Sequence, residues 1–230
     1  MPFLLHTAHA QLLALWISVL GWILIMVSLG TVEWRIWEVS DISIITSGIA
    51  WVGVWRVCFH SHAPILSTNQ IMFCQRIHLW ESFTPPEIAS AQVLMIVSII
   101  LGFLGNACVI FALRKVYFGF SSIIPAFFAG GVLLILTASS ALIPVCWNLS
   151  SVVNNYTVFF PESFLMPSAP LSQSVGPGII VGFFASVLLV FSGLVFLSYR
   201  SPKVKPIGHP GICLKQQGID NPAFQTHNEC

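Results

Sequence analysis

The sequence predicts a membrane protein that is mainly α-helical, with four transmembrane helices and a small extracellular β-structure. Three observations lead to this fold class. The 230 residues are 56% hydrophobic and only 7% charged, whereas soluble domains carry about 25% charged residues. Four long apolar runs divide the chain. The first run is followed by a segment rich in tryptophan, with a glycine and two cysteines, and hydrophobicity alone does not explain these residue types.

Each apolar run is long enough to cross a bilayer. A transmembrane helix needs about 20 apolar residues, and backbone polar groups in lipid must be satisfied within the segment. A β-barrel would instead show alternating segments of about 10 residues. The alternative for the first run is a cleaved signal peptide, which would carry a basic start and a shorter apolar core of about 7–15 residues. The predicted helices cover residues 10–30, 91–113, 123–145 and 176–198.

Basic residues predict the orientation of the chain, because Lys and Arg concentrate in cytosolic segments. Six of the nine basic residues follow the second or the fourth predicted helix. We therefore expect both termini to be cytosolic and the loops 31–90 and 147–175 to be extracellular. Residues 1–198 would form one tetraspan domain in a plasma membrane. Residues 199–230 are polar and contain prolines, which predicts a disordered cytosolic tail.

The first loop predicts a small sheet held by a disulfide. Residues 32–40, 42–46, 49–60 and 69–78 are rich in residues that favour strands. Cys58 and Cys74 are the two cysteines predicted outside the cell, where thiols pair, and closing a loop of about 17 residues stabilises a fold by ~3 kcal/mol. Free thiols or a metal site with His60, His62 and His78 are the alternatives. No Cys-x-x-Cys or His-x-x-x-His spacing accompanies these residues, so zinc is disfavoured.

Several kinds of function lack any sequence support. The predicted spans contain no charged residue, which argues against a proton relay, a voltage sensor or a transporter site. No nucleophile elbow or Gly-rich phosphate loop is present, so we expect no enzyme, catalytic residue or cofactor. The net charge of +1 gives no indication of nucleic-acid binding. Gly178, Gly182 and Ser186 form a small-residue stripe that serves either packing within the bundle or lateral oligomerisation.

The tryptophan-rich segment resembles the signature of a known protein family. Trp34, then Gly53-Val54-Trp55 with Cys58, then Cys74, resembles the Trp…Gly-Leu-Trp…Cys…Cys signature of the claudin superfamily. The segment 142–147, Leu-Ile-Pro-Val-Cys-Trp, resembles the Ile-Pro-Val-Ser-Trp end of the third claudin helix. Together with matches in the first two helices, the resemblance covers about residues 10–200. The chain is identified on this basis as an atypical member of the claudin family of tetraspan tight-junction proteins.

The resemblance implies a left-handed four-helix bundle capped by an extracellular antiparallel β-sheet. It implies self-assembly with itself or other claudins, in cis within one membrane and in trans between cells, which forms a paracellular barrier or an ion-selective pore. An auxiliary subunit of an ion channel with the same tetraspan fold is the alternative. The implied site residues are Trp34, Gly53, Val54 and Trp55 as the signature motif, Gln75 and Arg76 facing the pore, and Tyr156, Phe159 and Phe160 in trans contacts.

The chain departs from the family pattern at several points. Val54 replaces a leucine, Gln92 stands where an arginine is expected near the start of the second helix, and fifteen residues separate the two cysteines, which predicts an elongated hairpin. Segments 114–122 and 199–206 lack the membrane-proximal cysteines that are palmitoylated in the family. The chain ends His-Asn-Glu-Cys in place of Tyr-Val, so we expect no docking to a PDZ scaffold by that route.

Charge and glycosylation complete the sequence-based expectations. The first loop carries three basic and five acidic residues, while Arg76 brings positive charge beside the second cysteine. We therefore hypothesise no strong ion preference, or a barrier. Asn155, in Asn-Tyr-Thr, is a candidate glycosylation site. Asn148, in Asn-Leu-Ser, lies closer to the membrane and is expected to remain unmodified.

Overall fold

A computed structural model of the chain describes residues 2–40, 44–62, 70–79, 81–118 and 124–199. Its four long helices are apolar enough to cross a membrane. A five-stranded antiparallel sheet accompanies them, so the predicted fold class is confirmed. The predicted tail begins at Tyr199 and otherwise lies outside the described residues. The helices are α1 (Pro2–Gly30), α2 (Pro86–Tyr117), α3 (Ile124–Val153) and α4 (Pro177–Leu197).

The sheet takes four strands from the first loop and one from the second. These are β1 (Arg35–Glu38), β2 (Ile49–Val52), β3 (Arg56–His62), β4 (Gln70–Arg76) and β5 (Ser172–Val175), in the order β4-β3-β2-β1-β5. The predicted strand 49–60 is two strands, because the chain reverses at Gly53-Val54-Trp55. The predicted strand 42–46 is wrong in its described part, where residues 44–46 belong to a turn. Ile45 nevertheless packs into the core from that turn.

Two helices extend further on the sheet side than hydropathy predicted. Helix α2 begins at Pro86 rather than at residue 91, and α3 continues to Val153 rather than ending at residue 145. The added turns carry Glu87, Asn148 and Ser151, whose polarity is typical of a loop. Each of these side chains is buried and hydrogen-bonded to the neighbouring helix or strand. The second loop therefore starts after Val153.

The small-residue stripe on α4 packs within the molecule. Gly178, Gly182 and Ser186 are buried. Ser28 Oγ on α1 donates a hydrogen bond to the Gly178 carbonyl at 2.7 Å. A Cβ atom at Gly182 would lie 2.8 Å from Ser28 Oγ and 2.9 Å from a methyl carbon of Val145. The stripe thus brings α4 against α1 and α3, as expected where small residues let helices approach closely in lipid.

Candidate functional site

The disulfide joins the two strands at the open edge of the sheet. Cys58 on β3 and Cys74 on β4 lie directly opposite each other, with their Cα atoms 4.2 Å apart, and are bonded. Cys58 is fully buried, whereas Cys74 is exposed. The predicted bond is therefore present, and it holds β4, the edge strand of the sheet among the described residues, to β3.

Trp34 fixes the point where the chain leaves α1 and enters the sheet. Its side chain is only 1% exposed and belongs to the core of the helix bundle. The indole Nε1 donates a hydrogen bond of 2.8 Å to the Ser28 carbonyl in the last turn of α1, which also accepts a longer bond of 3.3 Å from the Thr31 N–H. Trp34 therefore both fills the bundle and caps its first helix.

The turn between β2 and β3 inserts into the top of the bundle. Gly53 has no room for a side chain, because a Cβ atom would lie 2.8 Å from the backbone oxygen and 2.9 Å from the Cα atom of Val32. Val54 is 1% exposed and packs in the bundle core. Its carbonyl accepts a hydrogen bond of 2.9 Å from Gln92 Nε2 on α2. Trp55 packs, partly buried, against the same core.

The beginning of α4 packs against Glu33 and Trp34 from the other side. The Gly176 backbone N–H donates to the Trp34 carbonyl at 2.9 Å, and the Gly178 N–H donates to the Glu33 carbonyl at 2.9 Å. A Cβ atom at Gly176 would collide with the Glu33 carbonyl, and one at Gly178 would lie 2.6 Å from the Trp34 ring. Glycine at both positions allows β5 to align beside β1 while α4 descends along α1.

A buried ion pair, missed from the sequence, connects β1 to α2 and α3. Arg35 is 1% exposed, and its Nη2 atom donates to Glu87 Oε1 at 3.0 Å and to Asn148 Oδ1 at 2.8 Å. Ser151 Oγ donates to the same Glu87 oxygen at 2.8 Å. Burial lowers the pKa of the Arg35 guanidinium, while the hydrogen bond and negative charge of Glu87 act in the opposite direction.

The candidate pore-facing residues lie on the edge strand β4. Gln75 is half-buried opposite Val57, and Arg76 is exposed opposite Arg56. Within the described part of the chain, no group of three His, Cys, Asp or Glu side chains is placed to hold a metal ion.

The candidate trans-contact residues divide into two groups. Tyr156 and Phe159 are 64% and 71% exposed. Phe160 instead packs inside the molecule, with its ring centroid 5.6 Å from that of Trp37 and 5.4 Å from that of Phe164. Asn155 is exposed just beyond α3, in a left-handed conformation with φ 56°.

Comparison with known proteins agrees with this architecture. Residues 19–198 match the sequence family described as "PMP-22/EMP/MP20/Claudin tight junction". This match covers more than half of the chain. The chain belongs to the claudin family.

Curated relatives of this claudin are similar over most of their length. Claudin-3 of Rattus norvegicus is 28% identical over 193 residues, which cover 82% of this chain and 81% of the relative. Claudin-19 of Homo sapiens is 28% identical over 190 residues, covering 80% and 77%. The claudin-like protein ZF-A89 of Danio rerio is 27% identical over 199 residues, covering 84% and 87%. Family membership and the four helices together make this chain a multi-pass membrane protein.

The structure also shows how this claudin accommodates glutamine at position 92. The side chain is fully buried beneath the β2–β3 turn. Its Nε2 atom donates to the Val54 carbonyl at 2.9 Å and to the Ile77 carbonyl at 3.4 Å. The neutral amide of Gln92 therefore donates to two carbonyls of the first loop. Its Oε1 atom has no hydrogen-bond partner among the described residues.

Proposed function

We propose that this claudin is a cell–cell adhesion protein of tight junctions, which forms a paracellular barrier or pore by assembling with itself or other claudins. Its loops would be extracellular and both termini cytosolic, and it would act through structure rather than catalysis. The observation that carries the proposal is the disulfide-bonded sheet, which is seated on the bundle by Trp34, by the turn at Val54 and by the buried Arg35–Glu87 pair. A sheet fixed in this way presents the same surface on every copy, as regular assembly requires.

Exposed aromatic side chains support contact between opposing cells. Tyr156 and Phe159 project from the second loop with most of their surface accessible. Tyrosine and phenylalanine are enriched in protein–protein interfaces. Phe160 supports this surface indirectly, since its ring anchors the second loop on Trp37.

Expression in fibroblasts that lack junctions tests the assembly. We expect continuous intramembrane strands at cell contacts in freeze-fracture images, and enrichment of the protein at contacts between two expressing cells. Diffuse surface protein without strands would contradict the proposal. Co-purification with a channel from such cells, in place of self-association, would favour the auxiliary-subunit alternative.

A paired variant tests the trans contact separately from folding. Y156S/F159S removes two exposed aromatic rings, so surface expression should be retained while enrichment at contacts between cells is lost. Y117S is the matched control, because Tyr117 is an 87% exposed aromatic residue at the opposite end of the bundle. Equal loss of contact enrichment in both variants, or in neither, would reject these contact residues.

Ion preference is tested by dilution potentials across epithelial monolayers that express the protein. We expect a small shift or a rise in resistance, because the first loop mixes acidic and basic residues and Arg35 is already paired with Glu87. A large shift of either sign would reject the hypothesis of weak preference.

A further inference from the structure

Two arginines lie opposite each other beside the β2–β3 turn. Arg56 on β3 and Arg76 on β4 are directly opposite in the antiparallel register, and both are exposed. They border a recess of about 400 Å³. The recess is lined by Trp55, Arg56, Arg76, Ile77, His78 and Leu79.

This pairing is unfavourable in the protein alone. Like charges directly opposite on neighbouring strands destabilise a sheet. In the described part of the chain neither guanidinium is paired with a carboxylate, and the ion pair found there is Arg35–Glu87. An anion between the two arginines would convert this repulsion into attraction. Guanidinium groups bind phosphate with paired, charge-assisted hydrogen bonds.

The position of the recess indicates the source of the anion. Helix α2 has 32 residues and is about 48 Å long, which exceeds a hydrocarbon core of ~30 Å by about 9 Å at each end if it is centred. Gln92 lies about 9 Å along α2 from Pro86 at a rise of ~1.5 Å per residue, and its side chain holds the turn at Val54. With α2 centred in this way, Trp55 at the end of that turn and Arg56 at the start of β3 would lie at the level of the lipid headgroups.

The lining indicates an amphipathic ligand rather than a free ion. Trp55 and Leu79 add apolar surface beside the two cationic groups, while Ile77 is 2% exposed and packs into the core of the sheet. Such a surface suits the glycerol and upper acyl region of a lipid, whose phosphate would reach the arginines. We propose that this recess binds the phosphodiester group of a phospholipid in the leaflet nearest the sheet, with Arg56 and Arg76 as its ligands. The site requires no assembly between copies, so its test is independent of the test of junction formation.

The experiment uses the purified full-length protein in maltoside detergent. Native mass spectrometry measures binding of phosphatidylglycerol, of diacylglycerol, which lacks the phosphate, and of inorganic phosphate. We expect R56Q and R76Q each to bind phosphatidylglycerol about tenfold more weakly or worse, as loss of a charge-assisted hydrogen bond implies. R114Q is the matched control, because it removes an arginine at the far end of α2, and its binding should be unchanged.

Melting temperature provides a second readout that separates binding from misfolding. Without lipid, R56Q and R76Q should melt at or above the wild-type temperature, because the repulsion is relieved. With phosphatidylglycerol, they should gain less stabilisation than the wild type. Unchanged lipid binding in both variants, an equal loss in R114Q, or an equal loss of diacylglycerol binding would overturn the proposal. Displacement of the lipid by inorganic phosphate at equal concentration would also overturn it, since the site would then take a free anion.

Discussion

Breaking the Arg35–Glu87 pair should destabilise the protein more than any exposed charge change. In R35M, the Glu87 carboxylate remains 10% exposed with only the Ser151 hydroxyl as a side-chain partner, and Asn148 Oδ1 loses its donor. Removing one partner of a buried ion pair costs about 3–5 kcal/mol. At about 2–4 °C per kcal/mol for a chain of this size, the melting temperature in detergent should fall by roughly 10 °C.

A double variant and a matched control variant test this reasoning. R35M/E87M should be more stable than R35M, because it leaves no uncompensated buried charge. E38Q is the matched control: Glu38 lies on the same strand, but it is exposed and accepts a hydrogen bond from Ser172, so its loss should cost no more than about 1 kcal/mol. If R35M melts within 2 °C of the wild type, or if the double variant is simply additive, the pair does not hold the sheet to the bundle.

Three further predictions concern Gly53 in the β2–β3 turn, the disulfide, and the two candidate glycosylation sites. G53A should lose about 1–3 kcal/mol of stability through overpacking against backbone, whereas G30A should not, since a Cβ there has nothing within 4 Å; thermal melts compare them. Serine at both disulfide positions should cost about 3 kcal/mol, while C146S, at a free cysteine, should be neutral. N155Q should abolish any glycosidase-sensitive mobility shift and N148Q should leave it unchanged, because Asn155 is exposed and Asn148 is 1% exposed; a shift lost in N148Q would contradict this.

The helices were predictable because membrane spans carry a strong signal of length and apolarity. The sequence does not mark Gly53-Val54-Trp55 as a turn, since it lacks the Asn-Gly or Asp-Gly pairs of tight hairpins. Its residues are apolar because the turn is inserted into the bundle rather than exposed to water. The motif thus signalled a special site but not the chain reversal that it forms.

The number of charges in the first loop does not reveal that Arg35 is buried and paired. Its partner Glu87 is 52 residues away in the sequence, and neither residue belongs to a local pattern that predicts burial. Asn148 and Ser151 similarly indicated a loop, although they extend α3 by bonding to the start of α2.

Arg76 has two proposed roles that give opposite expectations for one variant. If it lines an aqueous passage, R76Q should shift the dilution potential of a monolayer toward cations, because a positive charge leaves the pore. If its guanidinium is neutralised by a lipid phosphate beside Arg56, R76Q should leave the dilution potential unchanged while weakening phosphatidylglycerol binding. The register opposite Arg56 and the headgroup level of the turn favour the second result. A cation shift with unchanged lipid binding would instead assign Arg76 to the pore.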